Sequence, residues 1–369
     1  MDKTNQHSTA VVKTACAIVF LLFTFLYLYY YQADILAMTQ HVLSHGKTHY
    51  NRTIGAVLIT LVLYLLQVGV YALTKLEHHA HAFTYFPSLL LLTIITSAGV
   101  HFHQHPSIGK WIWVAPLLII LWLGLVWVSR QVEDIVGKPA NTGIFSRLSW
   151  VNMLTLVFML ILVCLYSNRD ETFHYRMNME RRLQENDIDG ALFVGMKSRA
   201  TDEALTRLRA YALSRKHQLG QRLFEYALAG GSKAIVPQRN DSTSAAATII
   251  LPASELRKQY LRDKHNYELC AYLADKDIDR FASKMVEYYE VSDTAALPKH
   301  YREALTLYTR KRSRRVVTYH NPVSEADFAD LQRIQGEHQT ARARMNAIHD
   351  SFGNTYWYYY LHHTASEAK

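Results

Sequence analysis

Apolar positions are unevenly spread along this chain. Five nearly uncharged runs of ~20 residues, at 11–31, 54–73, 83–100, 111–128 and 150–166, fill the first 167 positions, and no comparable run follows. Each is close to the ~20 residues that a helix needs to cross a hydrocarbon layer of ~30 Å. From Glu171 onward the pattern changes to charged residues with apolar positions at helical spacing, such as Ile278, Phe281, Met285 and Tyr288, then Tyr301, Leu305 and Tyr308, and earlier Leu205, Leu208 and Ala212. Each stripe is too narrow to form a core alone, so neighbouring helices must stack. The predicted fold is all-α: a five-helix transmembrane bundle over residues 1–167, then a soluble helical-repeat domain over 168–369.

Start signals refine this reading. Thr201, Ser254 and Ser324, each followed closely by acids, are predicted helix starts, and Pro298 ahead of Tyr301 fits a first-turn proline. Residues 230–253, with Gly-Gly, Ser, Asn, Asp and a Thr-rich run, read as a surface loop with a short strand at 248–251. The first apolar run resembles a signal peptide because Lys3 precedes it and Lys13 lies at its start. It is too long for one and ends in Tyr27, Tyr29, Tyr30 and Tyr31 rather than a small-residue cleavage site, so it reads as a retained helix.

The chain carries a net charge of +9. In a membrane protein that excess sits beside the bilayer, so no nucleic-acid partner is expected. Lys3, Lys13, Lys75, Arg130, Lys138 and Arg147 fall on the N-terminal side of the membrane; Lys47, Arg52 and Lys110 fall opposite, with Arg169 and Arg176 just past the last run. The bias favours a cytoplasmic N-terminus, and five crossings then leave the C-terminal domain outside the cytoplasm, in the periplasm of a bacterium. The apolar runs lack interior Asp, Glu, Lys or Arg, with Gln67 and Asn152 their most polar positions, which argues against an ion-coupled pump. Gly69, Ser97, Ala98 and Gly99 would let helices approach closely, within one chain or in a homo-oligomer.

Three cysteines, Cys16, Cys164 and Cys270, build neither a disulfide framework nor a paired-cysteine metal site. Histidine is more abundant, at nineteen. His41, His45 and His49 recur every fourth residue in the first loop, with Gly46 placed to break a helix before His49. His101, His103 and His105 sit in the third loop on the same side, so His41, His45, His101, His103 and His105 are the candidate metal ligands; no other cofactor is expected. His78, His79 and His81 face the other side. Residues 190–198 come near a phosphate-binding loop but have one residue too many before Lys197 and lie in helical context. Asp275, Asp277 and Asp279 lack the glycine and distal glutamate of a calcium loop and read as a helix start. Arg310, Lys311, Arg312, Arg314 and Arg315 form a basic run at a helix end, and 352–360 pack six aromatics into nine residues. Tyr356, Trp357, Tyr358, Tyr359, Arg312, Arg314 and Arg315 are the candidate partner-binding residues, although the favoured fate of the aromatics as a group is burial as a final core helix.

The runs 218–226 (QLGQRLFEY), 297–305 (LPKHYREAL) and 352–360 (FGNTYWYYY) resemble an uncharacterised family of Bacteroidota multi-pass membrane proteins with a tetratricopeptide-like C-terminal domain. The resemblance covers about 187–362. It implies a bacterial inner-membrane location and carries no assigned activity, and members of that family have more spans than these five. Two functions compete on this reading. One is an interaction or scaffold subunit of an envelope assembly, with the bilayer and other envelope membrane proteins as partners. The other is a membrane-bound enzyme acting on lipid or lipid-linked glycan through the outer-loop histidines.

Overall fold

The computed structural model describes residues 2–76, 78–99, 109–136, 146–237, 248–292, 296–337 and 340–362, and among them it contains helices and turns but no strand. The chain divides into two compact units, Met1–His174 and Tyr175–Lys369. The division lies inside a helix and past residue 167, where hydropathy alone set it.

The first unit contains α1 (Asp2–Leu26), continued by a π-turn over Tyr27–Tyr31, then α2 (Ala33–Leu43), α3 (Arg52–Thr74), a 3-10 stretch (His78–Tyr85) leading into α4 (Phe86–Thr96), α5 (Trp111–Val136) and α6 (Arg147–Tyr166). Four of its helical spans are long and apolar enough to cross a membrane: Ala10–Tyr31, Arg52–Thr74, Trp111–Gln131 and Arg147–Tyr166. Termini are set as the sequence chemistry requires. Asn51 Oδ1 accepts from the amides of Thr53 and Ile54 at the start of α3, and Ser146 Oγ from Ser149 at the start of α6. At the other end of α3 the Arg130 guanidinium donates to the carbonyl of Thr74. The loop after the first span is helical, and α2 buries Ile35 and Met38 completely.

The third apolar run departs from expectation. Its α-helix covers only Phe86–Thr96, about 16 Å at 1.5 Å per residue, and the apolar helical stretch Ala80–Thr96 is shorter than the other four. The residues ahead of it wind as a 3-10 helix, whose ~2 Å rise lengthens the segment while weakening its own hydrogen bonds. Neighbouring side chains supply replacements. Asn152 Oδ1 accepts from Ala82 N at 2.8 Å, Trp122 Nε1 donates to Phe83 O at 2.9 Å, and Thr84 Oγ1 donates to His81 O while accepting from Gln67 Nε2 at 3.0 Å. The two most polar positions of the apolar runs therefore brace backbone and side chain where the helix geometry changes. The far end is tied as well: Thr96 Oγ1 lies 2.8 Å from Ser167 Oγ, and Asn168 N donates to Thr96 O at 3.0 Å. The segment thus runs alongside α6 from Asn152 to Ser167.

The second unit holds most of α7 (Glu171–Gln184), then α8 (Ile188–Phe193), α9 (Glu203–Arg215), α10 (Leu219–Arg222) with a 3-10 turn, α11 (Gly231–Ile235), α12 (Ala253–Arg262), α13 (Lys264–Ala274), α14 (Ile278–Tyr288), α15 (Lys299–Lys311), α16 (Pro322–Glu337), α17 (Ala341–Phe352) and α18 (Tyr356–His362). The predicted stripes are buried except for half-buried Tyr288, but α9 is not amphipathic. Every residue from Ala204 to Ser214 is buried, with Arg207 and Arg209 donating to the carbonyls of Lys233, Ala234, Ala227 and Gly195. Burial pushes the Arg209 guanidinium down to about 10.

One connection occurs three times. The helix pairs α7–α8, α9–α10 and α13–α14 are each joined by a turn with a single left-handed residue, Asn186 (φ 62°), His217 (φ 54°) and Lys276 (φ 59°). In each, the amide after that residue bonds the carbonyl five positions back: Asp187 to Arg182, Gln218 to Leu213 and Asp277 to Tyr272, all at 2.8–2.9 Å. Asp187 and Asp277 then cap the following helix through Gly190 N and Arg280 N.

Several local expectations change. The residues at 248–251 are not a strand. The amides of Ile249, Ile250 and Leu251 converge on Glu180 Oε2 at 2.5–3.2 Å, and Arg176 donates to its Oε1 at 3.2 Å, so a fully buried carboxylate organises that loop. The caps of α9 and α16 are Asp202 and Asn321, and α12 begins directly after Pro252, so Thr201, Ser324 and Ser254 are displaced from the predicted role. Thr201 instead accepts from Arg209.

Candidate functional site

The described surface of the second unit has a cleft of about 300 Å³ between α11 and the α13–α14 hairpin. Ser232, Lys233 and Val236 form one wall; Glu268, Ala271, Tyr272 and Asp275 form the other; Asp277 and Arg280 close the end. Its shape is fixed from both sides. Gly230 (φ 79°) and Gly231 (φ 54°) turn the chain into α11, and a Cβ on Gly231 would lie 2.6 Å from Asp275 Oδ1. That oxygen accepts from Ser232 N at 2.8 Å, while Arg207 holds α11 from the core side through the carbonyls of Lys233 and Ala234.

Every carboxylate here already has a structural role. Asp277 caps α14 and pairs with Arg280 at 3.4 Å, and Glu268 accepts from the Tyr288 hydroxyl at 2.7 Å and pairs with Lys264 at 3.5 Å. The bond to Glu268 is the main cause of a raised Tyr288 hydroxyl. Among the described residues, no nucleophile and base share a hydrogen bond in the cleft. Residues of both charges, Lys233, Glu268, Asp275, Asp277 and Arg280, line the cleft together with Val236, Ala271 and Tyr272.

The histidine proposal separates into parts. α2 ends at Leu43, and His45 lies beyond it at φ 50°, so His41 and His45 do not share a helix face; the break comes earlier than Gly46. His101, His103 and His105 lie outside the described residues. Among the described residues no group of three or more His, Cys, Asp or Glu could hold a metal ion. His81 is buried among rings, edge-on to Tyr71 at 5.5 Å and Tyr85 at 5.9 Å. The run 190–198 is α8 and a turn, entered from a helix rather than a strand.

The C-terminal aromatics are mostly core. Tyr356, Trp357 and Tyr359 are buried: Trp357 Nε1 donates to Glu303 O at 2.7 Å, Tyr359 to Ala274 O at 2.8 Å and Tyr356 to Leu273 O at 3.2 Å. As partner-binding residues these three are corrected, because α18 packs into the space beside α13 and α15 and its polar tips find carbonyls there. Tyr358 is half-buried against His349. Arg312 is clamped by both oxygens of Asp279 at 2.6–2.8 Å, which leaves Arg314 and Arg315 as exposed members of the basic run. Asp279 and Asp277 thus serve a salt bridge and a helix start.

Sequence reading missed Lys233, Tyr272 and Arg280. The one available signal was the Gly230-Gly231 pair, which marks a sharp turn and not a featureless loop.

Residues 264–363, which include α13 through α18, match a family of unknown function, DUF6057. No curated protein matches the chain, and no solved structure does.

Proposed function

We propose that this protein is a membrane-anchored scaffold of a bacterial envelope assembly, in which a tetratricopeptide-like array of helical hairpins holds a segment of a partner protein. The observation that carries the reading is the thrice-repeated hairpin turn at Asn186, His217 and Lys276, because stacked hairpins of one geometry build surfaces for other chains. The cleft between α11 and the third hairpin is the proposed docking point. Five crossings of the inner membrane complete the proposal, with a cytoplasmic N-terminus and the hairpin unit in the periplasm. Support for the fifth crossing comes from the 3-10/α4 segment, which accompanies α6 from Asn152 to Ser167.

Tyr272 replaced by a photo-crosslinking amino acid in the native cell tests the idea. One dominant adduct with another envelope protein is expected, lost when Lys233→Glu and Arg280→Glu reverse the charges at the mouth. A lack of adduct, or an adduct insensitive to both reversals, contradicts it.

A further inference from the structure

Among the described residues of the second unit, Phe193 at the end of α8 is the most exposed large apolar side chain, with 78% of its surface open. The turn that follows adds to it. Met196, Lys197 and Arg199 are exposed as well, and no acid occurs between Phe193 and Thr201. Neither cation is in an ion pair among the described residues.

The turn is firmly built. Met196 N bonds Phe193 O at 3.3 Å and Ser198 N bonds Gly195 O at 3.1 Å, two successive turns whose ends each stay within ~7 Å. Gly195, at φ 60°, lies so close to the Tyr175 ring that a Cβ would approach it to 3.0 Å. Its carbonyl accepts from buried Arg209 at 3.3 Å. Two apolar and two cationic side chains are therefore displayed from one short, braced stretch.

Chain connectivity indicates what covers them. Tyr175, against which the turn packs, follows Tyr166 at the end of α6 by nine positions. Five extended residues and four helical ones reach roughly 24 Å at most, so the turn is tethered near any bilayer that α6 crosses. An anionic bilayer surface matches its chemistry. The ring and thioether enter the boundary between headgroups and acyl chains, while the ammonium and guanidinium meet lipid phosphates.

We infer that the 193–199 turn is a membrane-surface contact, in which Phe193 and Met196 insert and Lys197 and Arg199 bind anionic headgroups. The inference rests on the proposed crossing by α6 and is independent of the cleft and of the scaffold role.

The test places an environment-sensitive fluorescent amino acid at Phe193 of the full-length protein, in nanodiscs whose lipids carry a nitroxide quencher near the headgroup. In discs containing phosphatidylglycerol, stronger quenching is expected at Phe193 than for the same probe at exposed Ser283 in α14. Lys197→Gln together with Arg199→Gln should cut the inserted population about thirtyfold, since each cation near an anionic surface contributes about fivefold. Discs of phosphatidylcholine alone should weaken quenching of the otherwise unaltered chain, which tests the same charge without those substitutions. A probe at Leu165 in α6 separates the inference from its premise. If Leu165 is quenched and Phe193 is quenched no more than Ser283, the surface contact is overturned and the crossing stands. If Leu165 is itself unquenched, the crossing fails and the inference with it. Quenching at Phe193 that withstands both the substitutions and the change of lipid also overturns it.

Discussion

Cys270 has no exposed surface, and its Sγ lies 3.5 Å from the Tyr301 hydroxyl, which bonds Asn266 Oδ1 at 2.9 Å. Burial pushes the thiol up to about 12 from the ordinary 9.0, so at neutral pH it is protonated and inert. Maleimide is expected to leave Cys270 unlabelled in the native protein and to label it in denaturant; native labelling would contradict the packing around Tyr301. The same burial sets a pH dependence. The unfolded chain releases the Cys270 proton near 9 while the folded chain retains it, so stability is level below about pH 9 and falls as pH rises toward 12, by up to about 1.4 kcal/mol per unit. Tyr267, Tyr301, Tyr356 and Tyr359 are displaced upward by burial too, and steepen the decline. A melting series from pH 7 to 11 reads it, and a Cys270→Ala protein should show a shallower slope.

At the scale of elements, the 3-10 stretch His78–Tyr85 depends on what surrounds it. Asn152→Leu keeps the volume of the side chain and removes the acceptor for Ala82 N, leaving a buried donor at a cost of about 1–3 kcal/mol. A lowered melting temperature in detergent is expected, whereas Val151→Leu on the exposed face of α6 should leave it unchanged. This stretch also shows where sequence reading stops. Hydropathy located the four long apolar helices to within a few residues, because apolar content over ~20 positions is a local property. It missed where the third run begins and ends, since its geometry is set by Asn152, Gln67 and Trp122 on other helices. The stripes of α14 and α15 were legible and, apart from half-buried Tyr288, lie in the core, although α15 is also buried all round from Glu303 to Thr309. The all-round burial of α9 was not legible, because Arg207 and Arg209 read as surface residues until loop carbonyls arrive to meet them. The repeated hairpin turn was hidden twice over: its left-handed residues are Asn, His and Lys instead of Gly, and residues 226–263 separate the second hairpin from the third. The cleft is a product of tertiary packing, and only its Gly230-Gly231 turn left a trace in the sequence.

For the whole molecule, the proposed scaffold joins a unit with four helices long and apolar enough to cross a membrane to a helical unit proposed to hold a partner. The basic residues Lys13, Lys75, Arg130 and Arg147 lie at the ends where, in the proposed five crossings, the first begins, the second and fourth end and the fifth begins. That alternation carries the claim that the hairpin array lies outside the cytoplasm. Native thiols are poor reporters, since Cys270 is sealed and Cys16 is buried within an apolar span. Cysteines introduced at exposed Ser283 in α14 and at exposed Lys75 after α3 are better placed. With a membrane-impermeant maleimide on cells whose outer membrane alone has been opened, Ser283→Cys should label at once and Lys75→Cys only after the inner membrane is broken; the reverse order would contradict the account.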